Sequence, residues 1–397
     1  MEIESRIVTT DQTLSLLSEI LPQIKTERVS LGNCLGRTLA IDIIADIDQP
    51  PFNKSAMDGF ACRNEDLPGP LTIVGEIAAG GITGTKVEKG NCYRIFTGAP
   101  VPEGADCVIM QEYTSVRNGS VIFTAEETKP NICYQGEDLR AGATAIKAGT
   151  ILQPHHVAIM AGFGITAPLV TAPVKVAIIC SGSELVEPDV NPGNAKIRNS
   201  NAYQLSAQVS AMGAIADYLG IVPDNRNDLI QLVTKSAGNY DVLLITGGAS
   251  VGAYDLVPGV FASMGATIYF NGLNIQPGKP IVFASFENTY MVGLSGNPVS
   301  SFLQFHLVVK PLLQRLNGCN SLYHKIIKAP LRAGIRRKKS TRQQFIPVSF
   351  LPSGYANPII FNGSAHLSAL NGTDGFAILD AGIGEVSENQ LVKILII

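Results

Sequence analysis

Positive charge is not in surplus in this 397-residue sequence, where 30 basic residues stand against 33 acidic ones for a net charge of −3. A chain without an overall positive field is not built to gather polyphosphate, which argues against bulk nucleic-acid binding. Paired cysteines are absent too. The seven, at 34, 62, 92, 107, 133, 180 and 319, lie far apart with no Cys-x-x-Cys spacing, so buried reduced thiols are expected rather than disulfides or zinc ligands. The five histidines form no metal-binding spacing and are given no catalytic role; His155-His156 follow Pro154, where a helix should start. No apolar run approaches the ~18 residues that span a bilayer. The first residues, MEIESRIVTT, place acids where a signal peptide needs positive charge. No repeat recurs at a fixed period. Together these absences predict a reduced, soluble, cytoplasmic protein that binds neither nucleic acid nor membrane.

What is present is ordinary globular material, 46% hydrophobic and 16% charged, far from the signature of disorder. At roughly 150 residues per domain the length suggests two to four domains. Near the N-terminus, Thr10-Asp11 precede Leu14, Leu17, Ile20 and Ile24, spaced as one face of a helix bent near Pro22. From Val29 to about Gly149, short β-like runs broken by glycine argue for a β-rich module. After Pro173 the pattern changes. Strands at Val174–Cys180, Tyr218–Val222, Asp241–Thr246, Ala266–Phe270 and Met291–Leu294 alternate with helical stretches, and a long apolar helix closes near Asn317-Gly318. Such alternation predicts a doubly wound, mostly parallel sheet covered by helices on both faces. Beyond Lys325 the text turns β-like again.

The resulting expectation is a multidomain α/β protein. An N-terminal region, 1–172, consists of a linker-like domain (about 1–50 and 140–172) with an inserted β-rich module (about 51–139); a central α/β domain follows at 173–324 and a small all-β domain at 325–397.

In an open parallel sheet the ligand lies at the carboxyl ends of the strands, so the loops there carry most of the functional information. Three are glycine-rich: Cys180-Ser181-Gly182-Ser183-Glu184-Leu185, Thr246-Gly247-Gly248-Ala249-Ser250-Val251-Gly252, and Leu294-Ser295-Gly296-Asn297-Pro298-Val299-Ser300. Glycine lets the backbone approach a ligand and aim consecutive N–H groups at an anion, and three such loops together resemble a phosphate-sized cradle. Glu184, Asp224 and Asp255 stand around the same loops. Carboxylates beside a phosphate cradle suit Mg²⁺, an ion that takes oxygen ligands and bridges to substrate phosphate. Upstream, Asp58 in Ser55-Ala56-Met57-Asp58-Gly59-Phe60-Ala61 and Thr97 in Thr97-Gly98-Ala99-Pro100 read, from spacing alone, as turn residues. The run Arg336-Arg337-Lys338-Lys339 reads as a solvated basic face.

These stretches, with Gly104-Ala105-Asp106, Gln111-Glu112, Gly136-Glu137-Asp138 and Pro277-Gly278-Lys279-Pro280, resemble the molybdopterin molybdenumtransferase family, which includes the E domain of gephyrin. The motifs run in order over nearly the whole chain. The resemblance implies an elongated homodimer of four-domain chains whose active-site crevice is completed by the partner subunit. It implies an enzyme that takes adenylylated molybdopterin and molybdate, inserts molybdenum and releases AMP with Mg²⁺, in transient contact with the adenylyltransferase of the same pathway. By motif, Asp58, Thr97, Glu184 and Asp255 are the catalytic candidates, and Asp224 and Asp255 the candidate Mg²⁺ ligands. Substrate contacts are assigned to Ser181, Gly182, Gly247, Gly248, Ser250, Gly252, Pro277, Gly278, Lys279, Gly296, Asn297, Pro298 and Ser364.

Departures from the family pattern are visible. Ser183 stands where an acid is common, and Ser295 where proline usually precedes Gly-Asn-Pro. Gly272, Gln276 and Pro347 stand where basic residues are frequent. Molybdate is a dianion and needs compensating donors, a part that Lys279, Arg342 and Ser364 are candidates to fill. Two alternatives therefore stay open at the level of sequence: a paralogue that binds pterin or nucleotide without inserting metal, and a molybdopterin adenylyltransferase.

Overall fold

The computed structural model describes residues 6–81, 86–248, 256–319, 322–337, 339–361 and 363–397. Its central element is a six-stranded sheet ordered Ile215–Val222, Lys175–Ser181, Val242–Thr246, Thr289–Leu294, Val282–Phe286, Thr267–Phe270. Five of the strands run in one direction and only Val282–Phe286 runs against them, so the sheet is α/β and mostly parallel as read. Near-continuous apolar runs such as Val176–Cys180 and Val242–Ile245 are fully buried, as strands covered on both faces must be. The antiparallel strand Val282–Phe286 was not anticipated. It begins two residues after Pro280 and returns through Glu287, whose φ of +52° belongs to a tight hairpin turn.

Helices cover both faces. Arg226–Ser236, whose Asn225 side chain accepts from the Asn227 and Asp228 amides, and Leu256–Ser263 pack one face around Leu229, Val233, Val260 and Phe261. Asn201–Ala211 and a continuous helical run cover the other; that run comprises Pro298–Gln304, a π turn over Phe305–Val309, and Lys310–Leu316.

The N-terminal helix is Thr10–Ser18, shorter than the apolar spacing suggested. Its cap is Thr9, whose hydroxyl accepts from the Gln12 amide at 3.2 Å while Gln12 Oε1 accepts from the Thr9 amide at 2.8 Å. The residue before Pro22 is pushed out of helical geometry, and Ile24 lies beyond the helix. Leu17 is fully buried in the core of the α/β domain, and Ile7–Val8 pairs with Gly272–Leu273, so these first residues pack with the α/β sheet.

Residues 26–44 and 144–171 form a small unit of two-stranded pairings around Leu39, Ile146, Leu152, Met160 and Val170. Its helix starts at Pro154, and Gln153 N donates to His156 Nδ1. Between them lies a second six-stranded sheet, ordered Cys107–Met110, Gly59–Cys62, Asn91–Ile95, Leu71–Ile77, Ser120–Phe123, Thr114–Arg117. The seven cysteines are free, and all but Cys133 are buried.

The C-terminal sheet is ordered Ile275–Gln276, Gln343–Phe350, Gly375–Leu379, Leu391–Ile396, Ile326–Pro330. Its first strand comes from the α/β domain, so Gln276 lies beside Gln344 across the seam. Phe345, Phe376 and Leu395 share one core with Leu303, Phe305 and Leu307 of the helical run. That shared core fixes the C-terminal domain over the carboxyl edge of the α/β sheet.

Candidate functional site

Between these two domains opens a cleft of about 1180 Å³. It is lined by thirteen of the residues proposed from sequence: Ser181, Gly182, Glu184, Asp224, Gly247, Gly248, Pro277, Gly278, Lys279, Gly296, Asn297, Pro298 and Ser364. Ser250, Gly252 and Asp255 lie outside the described residues. The three loops meet because each carries glycine at the point of contact. A Cβ on Gly247, whose φ is +89°, would lie 1.9 Å from the Ser181 carbonyl oxygen, and one on Gly296 would lie 3.5 Å from Gly247 Cα. Only a chain without side chains at these points brings three strand ends so close.

Asp224 is fastened to the first loop. Its Oδ1 accepts from Ser181 Oγ at 3.0 Å and its Oδ2 from the Ser183 amide at 3.1 Å, while its own amide donates to Ser183 Oγ at 3.2 Å. Ser183, at a position where an acid is common, thus holds a neighbouring acid in place. Asn201 closes the opposite wall, donating from Nδ2 to Thr246 Oγ1 at 2.8 Å and to the Gly296 carbonyl at 2.9 Å.

Gln304 was not among the residues singled out by motif, yet it ties two loops together. Its Nε2 donates to the carbonyls of Gly278 at 2.8 Å and Pro280 at 2.7 Å, and its Oε1 accepts from the Ser295 amide at 2.9 Å. The available signal was a glutamine inside the apolar run Phe302-Leu303-Gln304-Phe305, because a fully buried carboxamide must find partners. Ser364 is brought in by its carbonyl, which accepts from the Val299 amide at 3.1 Å.

Charge in the cleft runs against that of the chain. Among the described lining residues Arg198, Lys279, Arg336 and Arg342 face only two acids, Glu184 and Asp224. Arg342 is anchored by its bond to the Ile275 carbonyl at 3.1 Å. Of the three positions where basic residues are frequent in the resembling family, only Gln276 lines the cleft. Gly272 packs against Ile7, leaving 3.1 Å for a Cβ, and Pro347 is buried in its strand opposite Phe376. Cations at those two positions would not reach this cleft.

Asp58 and Thr97 do not line the cleft; they face each other in the β-rich module. Asp58 Oδ1 accepts from the Thr97 amide at 2.8 Å and from Thr97 Oγ1 at 2.7 Å. These bonds, with Arg94 adding charge, hold the Asp58 carboxyl below the usual carboxylate range. The pair is therefore a preformed anionic corner outside the lining of its own chain's cleft.

Comparison with known proteins agrees along the whole chain. Residues 8–164 match the model of the MoeA N-terminal region (domains I and II), 177–315 that of a probable molybdopterin binding domain, and 328–397 that of the MoeA C-terminal region (domain IV). A molybdopterin molybdenumtransferase of Staphylococcus epidermidis is 33% identical over 95% of both chains. One from Bacillus subtilis is 32% identical over 98% of this chain and 93% of its own. The crystal structure of the molybdopterin biosynthesis moeA protein from Pyrococcus horikoshii OT3 superposes with a TM-score of 0.84 at 30% identity, covering 99% of this chain and 100% of that one.

Proposed function

The chain belongs to the molybdopterin molybdenumtransferase family, and from that premise we propose that its cleft holds adenylylated molybdopterin and molybdate, transfers molybdenum to the pterin and releases AMP. It is an enzyme of molybdenum cofactor biosynthesis. The observation that carries the finer reading is the meeting of three glycine loops with Lys279, Arg342 and Ser364 in one cleft. Loop amides around Gly182, Gly247 and Gly296 suit the phosphates, and the basic wall suits a tetrahedral dianion. Preset donors in a partly enclosed cleft favour the charge that builds on AMP as it leaves.

Mg²⁺ is part of the same proposal. Glu184 and Asp224 would hold it, with Asp255 as the third proposed donor. Among the described residues no three acids, histidines or cysteines gather into a closed metal cage. Two carboxylates facing a phosphate cradle fit an ion that completes its shell with substrate phosphate and water. Asp224 accepts one hydrogen bond on each oxygen and so retains lone pairs for a cation. When bound, the ion supplies neutralisation of the phosphoanhydride.

Asp58 and Thr97 act, in this reading, from a second copy of the chain. Ile41, Ile44, Ile47, Phe52 and Met57 are 39–48% exposed within one short stretch that leads to Asp58, a surface that a homodimer would cover. Among the described residues no helix is long and apolar enough to cross a membrane. We place the enzyme in the cytoplasm, with transient contact to the adenylyltransferase that supplies its substrate. A crystal soaked in molybdate tests the anion half: density against Lys279 or Arg342 is expected, and an empty basic wall with the ion elsewhere overturns it.

A further inference from the structure

A row of buried residues runs behind the glycine loops: Asn201, Thr246, Ser295 and Gln304. They are joined end to end. Asn201 Nδ2 donates to Thr246 Oγ1 at 2.8 Å, Thr246 Oγ1 donates to the Ser295 carbonyl at 3.1 Å, and the Ser295 amide donates to Gln304 Oε1 at 2.9 Å. Gln304 is fully buried and ends the row against the loop that carries Lys279. Both hydrogens of its Nε2 are engaged there, on the Gly278 carbonyl at 2.8 Å and on the Pro280 carbonyl at 2.7 Å.

Those two carbonyls stand on either side of Lys279 in the chain. The carbonyl between them, that of Lys279 itself, accepts from the Leu273 amide at 2.9 Å. Three successive carbonyls are therefore fixed, two of them by one carboxamide, and the Lys279 Cα cannot shift without breaking a buried bond. Packing acts in the same sense. A Cβ on Gly278, whose φ is +96°, would lie 3.3 Å from Gln304 Cγ and 3.4 Å from Gln304 Nε2, so the glutamine lies close along this turn. Lysine carries its charge on a flexible four-carbon stem. The point from which that stem starts is what the fold can set, and here one side chain sets it. A carboxylate at 304 would turn lone pairs toward two carbonyl oxygens, and an aliphatic side chain would leave three buried groups unpaired; the carboxamide alone offers two donors and an acceptor on this stem.

We propose that Gln304 is a positioning residue of the transfer reaction: by fixing the backbone on both sides of Lys279 and tying it to the glycine loop at Ser295, it sets the affinity of the cleft for molybdate. Gln304 does not line the cleft, so it touches no substrate and acts through Lys279, which does. The inference rests on the reading of Lys279 as a molybdate donor and adds the residue that aims it. A misplacement of ~1 Å caused by a change away from the reacting atoms costs up to ~100-fold, which puts the effect within reach of kinetics.

The test is single-turnover AMP release by the full chain at varied molybdate, with Gln304→Met, Lys279→Ala and the double variant beside the wild type. For Gln304→Met the expected result is a rise of about 10-fold or more in half-saturating molybdate, larger than any fall in the saturated rate. In the Lys279→Ala background the same change should add nothing further, because a residue that acts through the lysine has no effect once the lysine is gone. Should Gln304→Met not fold, Gln304→Asn serves in its place, since it keeps a carboxamide in the core but falls one methylene short of the carbonyls. A half-saturating molybdate unchanged from the wild type, a fall in the saturated rate alone, or an effect that adds in full to that of Lys279→Ala overturns the positioning role. Lys279→Ala without effect on the molybdate dependence is a different failure: it removes the anion reading of the cleft, and the role of Gln304 falls with it.

Discussion

The backbone of Gly247 lies directly against the Ser181 carbonyl, leaving 1.9 Å where a Cβ would stand. Two strand-end loops are thus held at van der Waals limits by the absence of a single carbon. Gly247→Ala adds both the clash and the cost of an alanine at φ +89°, which left-handed geometry alone sets at ~1–2 kcal/mol. A loss of more than about 2 kcal/mol in chemical denaturation is expected once the clash is added. Gly259→Ala, in a helix with open space around it, is the control and should change stability by no more than ~1 kcal/mol in the favourable direction.

Gln304 should behave as a strut of the cleft. Gln304→Leu leaves the Gly278 and Pro280 carbonyls and the Ser295 amide buried without partners. Each orphaned group costs ~1–3 kcal/mol, so a destabilisation of several kcal/mol is expected in urea unfolding. Retained stability with retained activity would mean that the loops hold themselves.

Asp224→Asn tests the metal assignment with little change of shape. The asparagine Oδ1 still accepts from Ser181 or Ser183, so the melting temperature should move little. The Mg²⁺ concentration for half-maximal AMP release should rise at least ~10-fold, as for the loss of one charged ligand in an oxygen-ligated site. An unchanged Mg²⁺ dependence would remove Asp224 from the ligand set.

Asp58 should report its bond to Thr97 in its titration. Its folded pKa is depressed by the Thr97 amide and hydroxyl, so this carboxylate favours the folded state above its unfolded pKa, and the contribution is lost as pH falls through the folded value. Thr97→Val removes the hydroxyl bond and keeps the amide bond. An upward shift of the Asp58 carboxyl titration, followed by NMR, is expected; no shift would show that the amide alone sets it.

Mixing two inactive variants tests whether the site is composite. If Asp58 serves the cleft of a second copy, random pairing of Asp58→Ala with Asp224→Ala chains leaves one intact site in each hybrid, restoring about a quarter of wild-type activity. No recovery after mixing under conditions of subunit exchange would confine each site to one chain.

Much of this architecture was legible in the sequence because two periodicities are written there without ambiguity. Val176–Cys180 and Val242–Ile245 are continuous apolar runs leading into glycine turns, and they became central parallel strands with cleft loops at their ends. The glycine loops were readable because their role is local. Gln304 and Asn201 were not, because their role lies in contacts across 9 to 95 residues that no spacing rule encodes. The strand Val282–Phe286 has no alternation or glycine turn of its own to mark it and was not read from the sequence. Gly272 and Pro347 looked like lost cations, and their depth in a packed strand pair and in the C-terminal sheet shows why cations there would not serve this cleft. Asp58 and Thr97 were recognisable by motif, yet what they face is a question of assembly that one chain does not contain.

The central claim, that the basic wall and the glycine loops act on one substrate pair, is tested most directly by single-turnover AMP release from adenylylated molybdopterin with Mg²⁺ at varied molybdate. The account predicts release whose rate rises with molybdate and saturates, with Lys279→Ala shifting the molybdate dependence to higher concentration. AMP released at the same rate with no molybdate present would contradict it.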